Sequence, residues 1–174
     1  MTTTAEPAEA TRTLSDSDFL TPPAERYFED YLPGSVYEYG RVNVTAEAII
    51  EFACEWDPQP IHIDPEFAAQ GAFGGLIASG LHTTGICMRL FVTHYLSHVA
   101  SLAPPGMDEL RWPTPVRPGD LLRLRTTIVS VRPSQSKPDR GLVHTRAELF
   151  NQHDEIVLHL LPINILRRRD VGDG

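Results

Sequence analysis

Cysteine is scarce in this chain: Cys54 and Cys87 are the only two in 174 residues. Two thiols cannot build a disulfide framework, so a reducing compartment, the cytoplasm, is the expected setting. Lysine is scarcer still. Lys137 stands alone beside 14 arginines, against 23 acidic residues, and the net charge is −8. That balance excludes a broad basic surface, and no nucleic-acid partner is expected. Clustered arginines can still hold an anionic small ligand, because guanidinium stays charged and binds phosphate bidentately. No apolar run approaches the roughly 20 residues of a membrane span, and Arg89, His94 and His98 interrupt the longest stretch. No membrane partner is expected either. Residues 1–24, rich in Thr, Ala, Glu, Ser and Pro, lack the basic start and apolar centre of a signal peptide and read as a disordered tail. Also missing are a Walker motif, a Gly-x-Ser-x-Gly elbow and the glutamate of a zinc-protease helix.

The remaining sequence reads as one α+β domain. Pro33-Gly34 marks a turn, and Val36-Tyr37-Glu38-Tyr39 alternates as a short strand. Thr45 is a suitable N-cap for a helix in which Ile49, Phe52, Ala53 and Trp56 recur at helical spacing, stopping at Asp57-Pro58. Asp64-Pro65 starts a second, short helix, which ends near Gly71. From about Ser79 to Val99 the chain is apolar nearly all round, as a long buried helix would be. Three alternating or β-rich stretches follow, over 122–129, 143–150 and 156–166. Pro162 within the last of them predicts a bulge or a sheet edge. Such a pattern predicts a sheet wrapped around the long helix. The Arg167-Arg168-Arg169 run reads as a solvated chain end.

The most informative stretch is Asp57-Pro58-Gln59-Pro60-Ile61-His62-Ile63-Asp64-Pro65. It sets a carboxylate and an imidazole five residues apart with two prolines between them. Proline fixes its own φ and pushes the preceding residue out of the helical region, so a stiff loop is expected here. Such a loop would hold Asp57 and His62 as a positioned acid/base pair. Phe73-Gly74-Gly75-Leu76-Ile77-Ala78-Ser79-Gly80 follows and leads into the long helix. Glycines there let backbone approach a ligand closely, and the first N–H groups of the helix suit a developing oxyanion. His82, His94 and His98 lack the accompanying ligands of a metal centre, so neither a metal nor a cofactor is expected. Cys87, in the most apolar helix, is a poor nucleophile.

The Asp57-to-Pro65 string resembles the Asp-x-Asn-Pro-apolar-His-x-Asp signature of MaoC-like dehydratases, the (R)-specific enoyl-CoA hydratases. Ala68 matches the small residue six positions after the histidine, and the resemblance runs over residues 30–168. It implies a hot-dog fold, with a long helix wrapped by a curved antiparallel sheet. The expected organisation is a tail over 1–24, a hot-dog domain over 25–168 and a flexible tail over 169–174. The resemblance also implies Asp57 and His62 as the acid/base pair and Gly80 as the oxyanion donor.

Gln59, Gly75, Ser79 and Met88 are the expected substrate-binding residues. The implied reaction is reversible hydration of a trans-2-enoyl thioester, carried by coenzyme A or a carrier protein, in a homodimer or an oligomer of dimers. Gln59 replaces the family's Asn, Trp56 replaces a small residue, and Met88 stands where studied hydratases carry a helix serine. Trp56 and Met88 could therefore reshape the acyl pocket. Arg111, Arg123, Arg125 and Arg146 could meet the carrier's phosphates, but ordinary strand alternation puts such residues toward solvent. The rival readings are a hot-dog thioesterase, which typically lacks this Asp/His loop, and a non-catalytic acyl-thioester-binding subunit, which has no need of the pair.

Overall fold

A computed structural model describes residues 13–14, 19–104 and 106–169. Its strands are β1 (Thr13–Leu14), β2 (Val36–Asn43), β3 (Ser101–Leu102), β4 (Met107–Arg111), β5 (Leu121–Pro133), β6 (Arg140–Phe150) and β7 (Ile156–Arg167). Four helices, α1 (Ala46–Trp56), α2 (Pro60–Ile63), α3 (Pro65–Gln70) and α4 (Gly80–Leu90), lie between β2 and β3. The sheet runs β1-β2-β5-β6-β7-β3, with β4 also on β7, and every pairing but the short β1–β2 one is antiparallel.

Alternation decides which face is buried. On β5, Leu122, Leu124, Thr126 and Ile128 are buried, while Arg123, Arg125 and Thr127 are not. The buried row joins Val143, Ala147 and Leu149 of β6 and Leu158 and Leu160 of β7 in one core with Cys87, Leu90, Phe91 and Tyr95. The sheet thus wraps the central helix, which is the hot-dog arrangement. Gly40 is what lets α4 seat so closely. It sits at φ +63° at an irregularity of β2, and a Cβ there would fall 2.6 Å from Leu90 Cδ2. Among the described residues, no helix is long and apolar enough to cross a membrane.

The structure corrects several expectations. The central α-helix is not continuous to Val99: it ends at Leu90 and widens into a π-helical turn over Phe91–Tyr95, with Leu96 extended. The close of the helical run at Tyr95 has a tertiary cause. Buried Arg26 donates to the carbonyls of His94 (3.1 Å) and Tyr95 (2.5 Å), satisfying acceptors that a longer helix would have used.

Part of the expected tail packs against the domain. Thr13–Leu14 pairs with Val36–Tyr37, and Phe19 is buried with its ring stacked on Tyr37 at 4.4 Å. Residues 1–12 and 15–18 of the expected tail lie outside the described residues, as do 170–174.

At the other end, Arg168 and Arg169 are not merely solvated. They pair with Glu29 (3.2 Å) and Asp30 (2.7 Å), tying the end of β7 to the turn before β2. Pro162, finally, lies inside β7 between β6 and β4. The β6 register runs unbroken past it, from His144↔Ile163 to Ala147↔Leu160, and the irregularity falls on the β4 side. Pro162 itself is in register with Met107, and the shift lies beyond it, between Asp108 and Arg111.

Candidate active site

Asp57 is where α1 stops. The proline after it disfavours helical backbone, and Asp57 turns away at φ −155°, ψ 67° while its N–H still reaches Ala53 O. His62 is not on an irregular loop, as expected, but on the single helical turn α2. Pro60 occupies that turn's first position, where a missing N–H costs nothing. Asp64 then caps α3 as read from the sequence, accepting from the N–H groups of Glu66 and Phe67 at 3.0 Å each. The glycine turn, with Gly74 at φ +65°, returns the chain beneath α2. Ala78 N–H donates to Val116 O at 2.8 Å, and Ser79 caps α4 by accepting from Leu81 N–H at 3.2 Å.

Four side chains meet there. Ser79 Oγ donates to Asp57 Oδ2 at 2.6 Å, and Gln59 Nε2 donates to Asp57 Oδ1 at 2.7 Å. His62 Nδ1 lies 2.9 Å from Ile77 O. A carbonyl can only accept, so Nδ1 carries the proton and Nε2 is the atom turned to Asp57. Nε2 stands 3.6 Å from Asp57 Oδ2, beyond a direct hydrogen bond yet close enough for one oxygen atom to touch both. Ser79 and His62 are buried, the Asp57 side chain is 22% exposed, and Gln59 lies at the open, solvent side of the group. The Ser79 hydroxyl holds the Asp57 carboxyl below the usual carboxylate range, Gln59 and His62 add to that, and partial burial opposes it. Asp57 is thus an ionised, doubly clamped carboxylate facing an imidazole nitrogen.

Gly80 opens α4 beside this group. As a first-turn residue its N–H has no acceptor within the helix. The indole of Trp112 lies where its side chain would be, with Cε2 only 2.7 Å from a Cβ built there. Trp112 Nε1–H donates to Thr84 Oγ1 (3.2 Å), and that hydroxyl donates to Gly80 O (2.8 Å). Gly75 lies against Arg117, whose Nη2 donates to Phe73 O at 2.6 Å.

The structure does not bring all the sequence candidates together. Gln59 and Ser79 are partners of the Asp57 carboxylate. Met88 lies more than two turns along α4, partly buried against the core. Trp56 is 64% exposed at the end of α1. Arg123 and Arg125 stand on the outer face of the sheet, bonded to Asp154 and Glu38, with both guanidiniums near the Phe150 ring. The histidines are dispersed: His82 stacks on Phe52, His94 stacks on Tyr39, and His98 Nε2 meets Val92 O. Burial pushes the Cys87 thiol up to about 12.

Two participants escaped the sequence reading. The Ile77 carbonyl carries no side-chain signal at all. Trp112 is distant along the chain from the residues it touches, and only the fold brings it to α4.

Comparison with known proteins places these residues in context. The family model described as MaoC like domain matches residues 30–148. The solved MaoC-like dehydratase of Rhodospirillum rubrum is 41% identical, with a TM-score of 0.78 over 84% of this chain and 99% of that one. The 3-hydroxyacyl-thioester dehydratase Z of Mycobacterium tuberculosis is 34% identical over 110 residues, 62% of this chain and 73% of its own length. The uncharacterized protein YdeM of Bacillus subtilis is 32% identical over 127 residues, 72% of this chain and 88% of its own.

Proposed function

This chain belongs to the MaoC-like domain family, and from that membership we propose that it adds water to trans-2-enoyl thioesters, giving (R)-3-hydroxyacyl thioesters, and catalyses the reverse dehydration. The observation that carries this reading is the Asp57 carboxylate, clamped by Ser79 and Gln59 and facing His62 Nε2 across 3.6 Å beside the first N–H of α4. In the hydration direction Asp57 takes a proton from water as the water oxygen attacks C3. In the form that reacts His62 carries a second proton on Nε2 and gives it to C2, while Nδ1–H stays on Ile77 O. The proton left on Asp57 then passes back to His62 Nε2, restoring the pair. Negative charge collects on the thioester oxygen during attack, and the Gly80 N–H donates to it. A donor of this kind contributes about 3 kcal/mol in the transition state.

The substrate arrives on coenzyme A or a carrier protein, and the chain acts as a cytoplasmic homodimer. The test is loss of enoyl absorbance with crotonyl-CoA, with the product identified as the (R)-3-hydroxy thioester. Release of free thiol without hydration would instead mark a thioesterase. Binding without any reaction would mark a non-catalytic subunit.

The clamp has a pH signature. The Ser79 hydroxyl is the main cause of the lowered Asp57 pKa, so Ser79→Ala moves that pKa upward. Less carboxylate is then ionised at a given acidic pH, and the acid limb of kcat/KM shifts to higher pH. A purely structural Ser79 would lower the whole profile without moving its limb, and that outcome would remove the hydroxyl from the chemistry.

A further inference from the structure

Trp112 lies against the end of α4 where the thioester carbonyl is proposed to bind, and nothing in the chemistry above uses it. A Cβ on Gly80 would fall 2.7, 2.8 and 3.0 Å from Trp112 Cε2, Cδ2 and Cζ2. The indole therefore covers Gly80 with its fused rings. In an α-helix the Cα–Cβ bonds tilt toward the N-terminus, and the unpaired N–H groups of the first turn point the same way. The ring thus stands beside the position that an acceptor on the Gly80 N–H would take.

It is also held there. Nε1–H donates to Thr84 Oγ1, which donates to Gly80 O, so the indole is fastened along the first turn of the helix. Yet Trp112 is 45% exposed: fastened on its helix side, it leaves the rest of its surface open. A fixed, partly open indole beside a carbonyl-binding N–H is a rigid wall for whatever the carbonyl carbon carries. That carbon carries sulfur and C2, and an enoyl thioester is flat through both.

We infer that Trp112 is a specificity-determining residue, whose open surface packs against the planar enoyl thioester and whose bulk excludes a branch at C2. The inference rests on the hydratase reading above and goes beyond it by stating which acyl groups the site refuses.

The test compares crotonyl-CoA with 2-methylcrotonyl-CoA in the wild type, Trp112→Ala and Trp112→Phe. Trp112→Phe keeps a ring but loses the Nε1–Thr84 bond, and it serves if the alanine variant folds poorly. The wild type should prefer the unbranched substrate, and Trp112→Ala should shrink that preference in kcat/KM by about 10–200-fold, the range for a single extra methylene in a pocket. Trp112→Phe should fall between them. An equal loss on both substrates, leaving the preference where it was, overturns the inference.

A second readout does not need turnover. Trp56 and Trp112 are the only tryptophans, so Trp56→Phe leaves Trp112 as the sole emitter. Saturating butyryl-CoA, which cannot be hydrated, should shift its emission. Unmoved emission, with butyryl-CoA binding measured by calorimetry, overturns the inference while leaving the hydratase reading intact. A shifted emission in a chain that hydrates neither enoyl-CoA supports the wall and overturns the proposed reaction instead.

Discussion

Asp57→Asn is expected to lower kcat/KM for crotonyl-CoA hydration by about 10²–10⁴-fold, the usual worth of a positioned acid/base group. Asparagine has nearly the same shape and can still meet Ser79 and Gln59, so the variant should fold and should keep its circular dichroism. What it loses is the ability to take a proton. The clamp explains why the effect should be large. Both carboxylate oxygens already accept a hydrogen bond, from Ser79 at 2.6 Å and from Gln59 at 2.7 Å. The carboxylate is thereby pinned toward His62, and water placed in the gap has a base of fixed orientation. Turnover near the wild-type rate in a folded Asp57→Asn chain would remove Asp57 from the reaction, and the acid/base pair with it.

His62→Ala should cost a similar factor of about 10²–10⁴ in kcat/KM, but it carries a structural cost that Asp57→Asn avoids. His62 is 5% exposed, and its Nδ1–H is bonded to Ile77 O at 2.9 Å. Deleting the ring leaves that carbonyl without its partner, a penalty of about 1–3 kcal/mol when a buried group loses its hydrogen bond. The alanine variant should therefore unfold at lower denaturant as well as lose activity. His62→Asn separates the two effects. Its amide can offer an N–H toward Ile77 O, recovering part of the stability, yet it has no titrating nitrogen facing Asp57. Loss of turnover in both variants, with stability lost mainly in the alanine one, is the expected result. If His62→Asn hydrates crotonyl-CoA as the wild type does, His62 is a packing residue and the proton reaches C2 from elsewhere.

Much of this site was legible along the chain because its parts are local. Asp57, Gln59 and His62 fall within six residues, and two prolines restrict the backbone between them. Sequence spacing therefore maps closely onto spatial arrangement. The caps at Thr45 and Asp64 were readable for the same reason: a cap bonds to N–H groups two or three residues onward. Alternation on β5 and β6 likewise reports burial directly, since neighbouring side chains must leave a strand on opposite faces.

What misled was local too. Two prolines spell a loop as readily as they spell the start of a helical turn, and α2 is the latter. An apolar run from Ser79 to Val99 is compatible with one long helix, and nothing within it signals a stop at Leu90. The helical run closes at Tyr95, where Arg26 reaches the His94 and Tyr95 carbonyls from 68 and 69 residues away.

By itself, then, the amino-acid sequence determined the α+β class, the core-facing rows of β5 and β6, and the candidate acid/base pair with its glycine-led helix. These follow from backbone restriction, short-range capping and strand periodicity, none of which needs a distant partner. Tertiary structure alone decided where the central helix ends, which hydroxyl holds Asp57 ionised, which carbonyl sets the His62 tautomer, and that an indole stands beside Gly80. Each of those depends on groups brought together by packing across the chain, at separations from 15 residues for His62 and Ile77 to 69 for Arg26 and Tyr95. Such distances are closed by burial of the common core, and no local pattern encodes them.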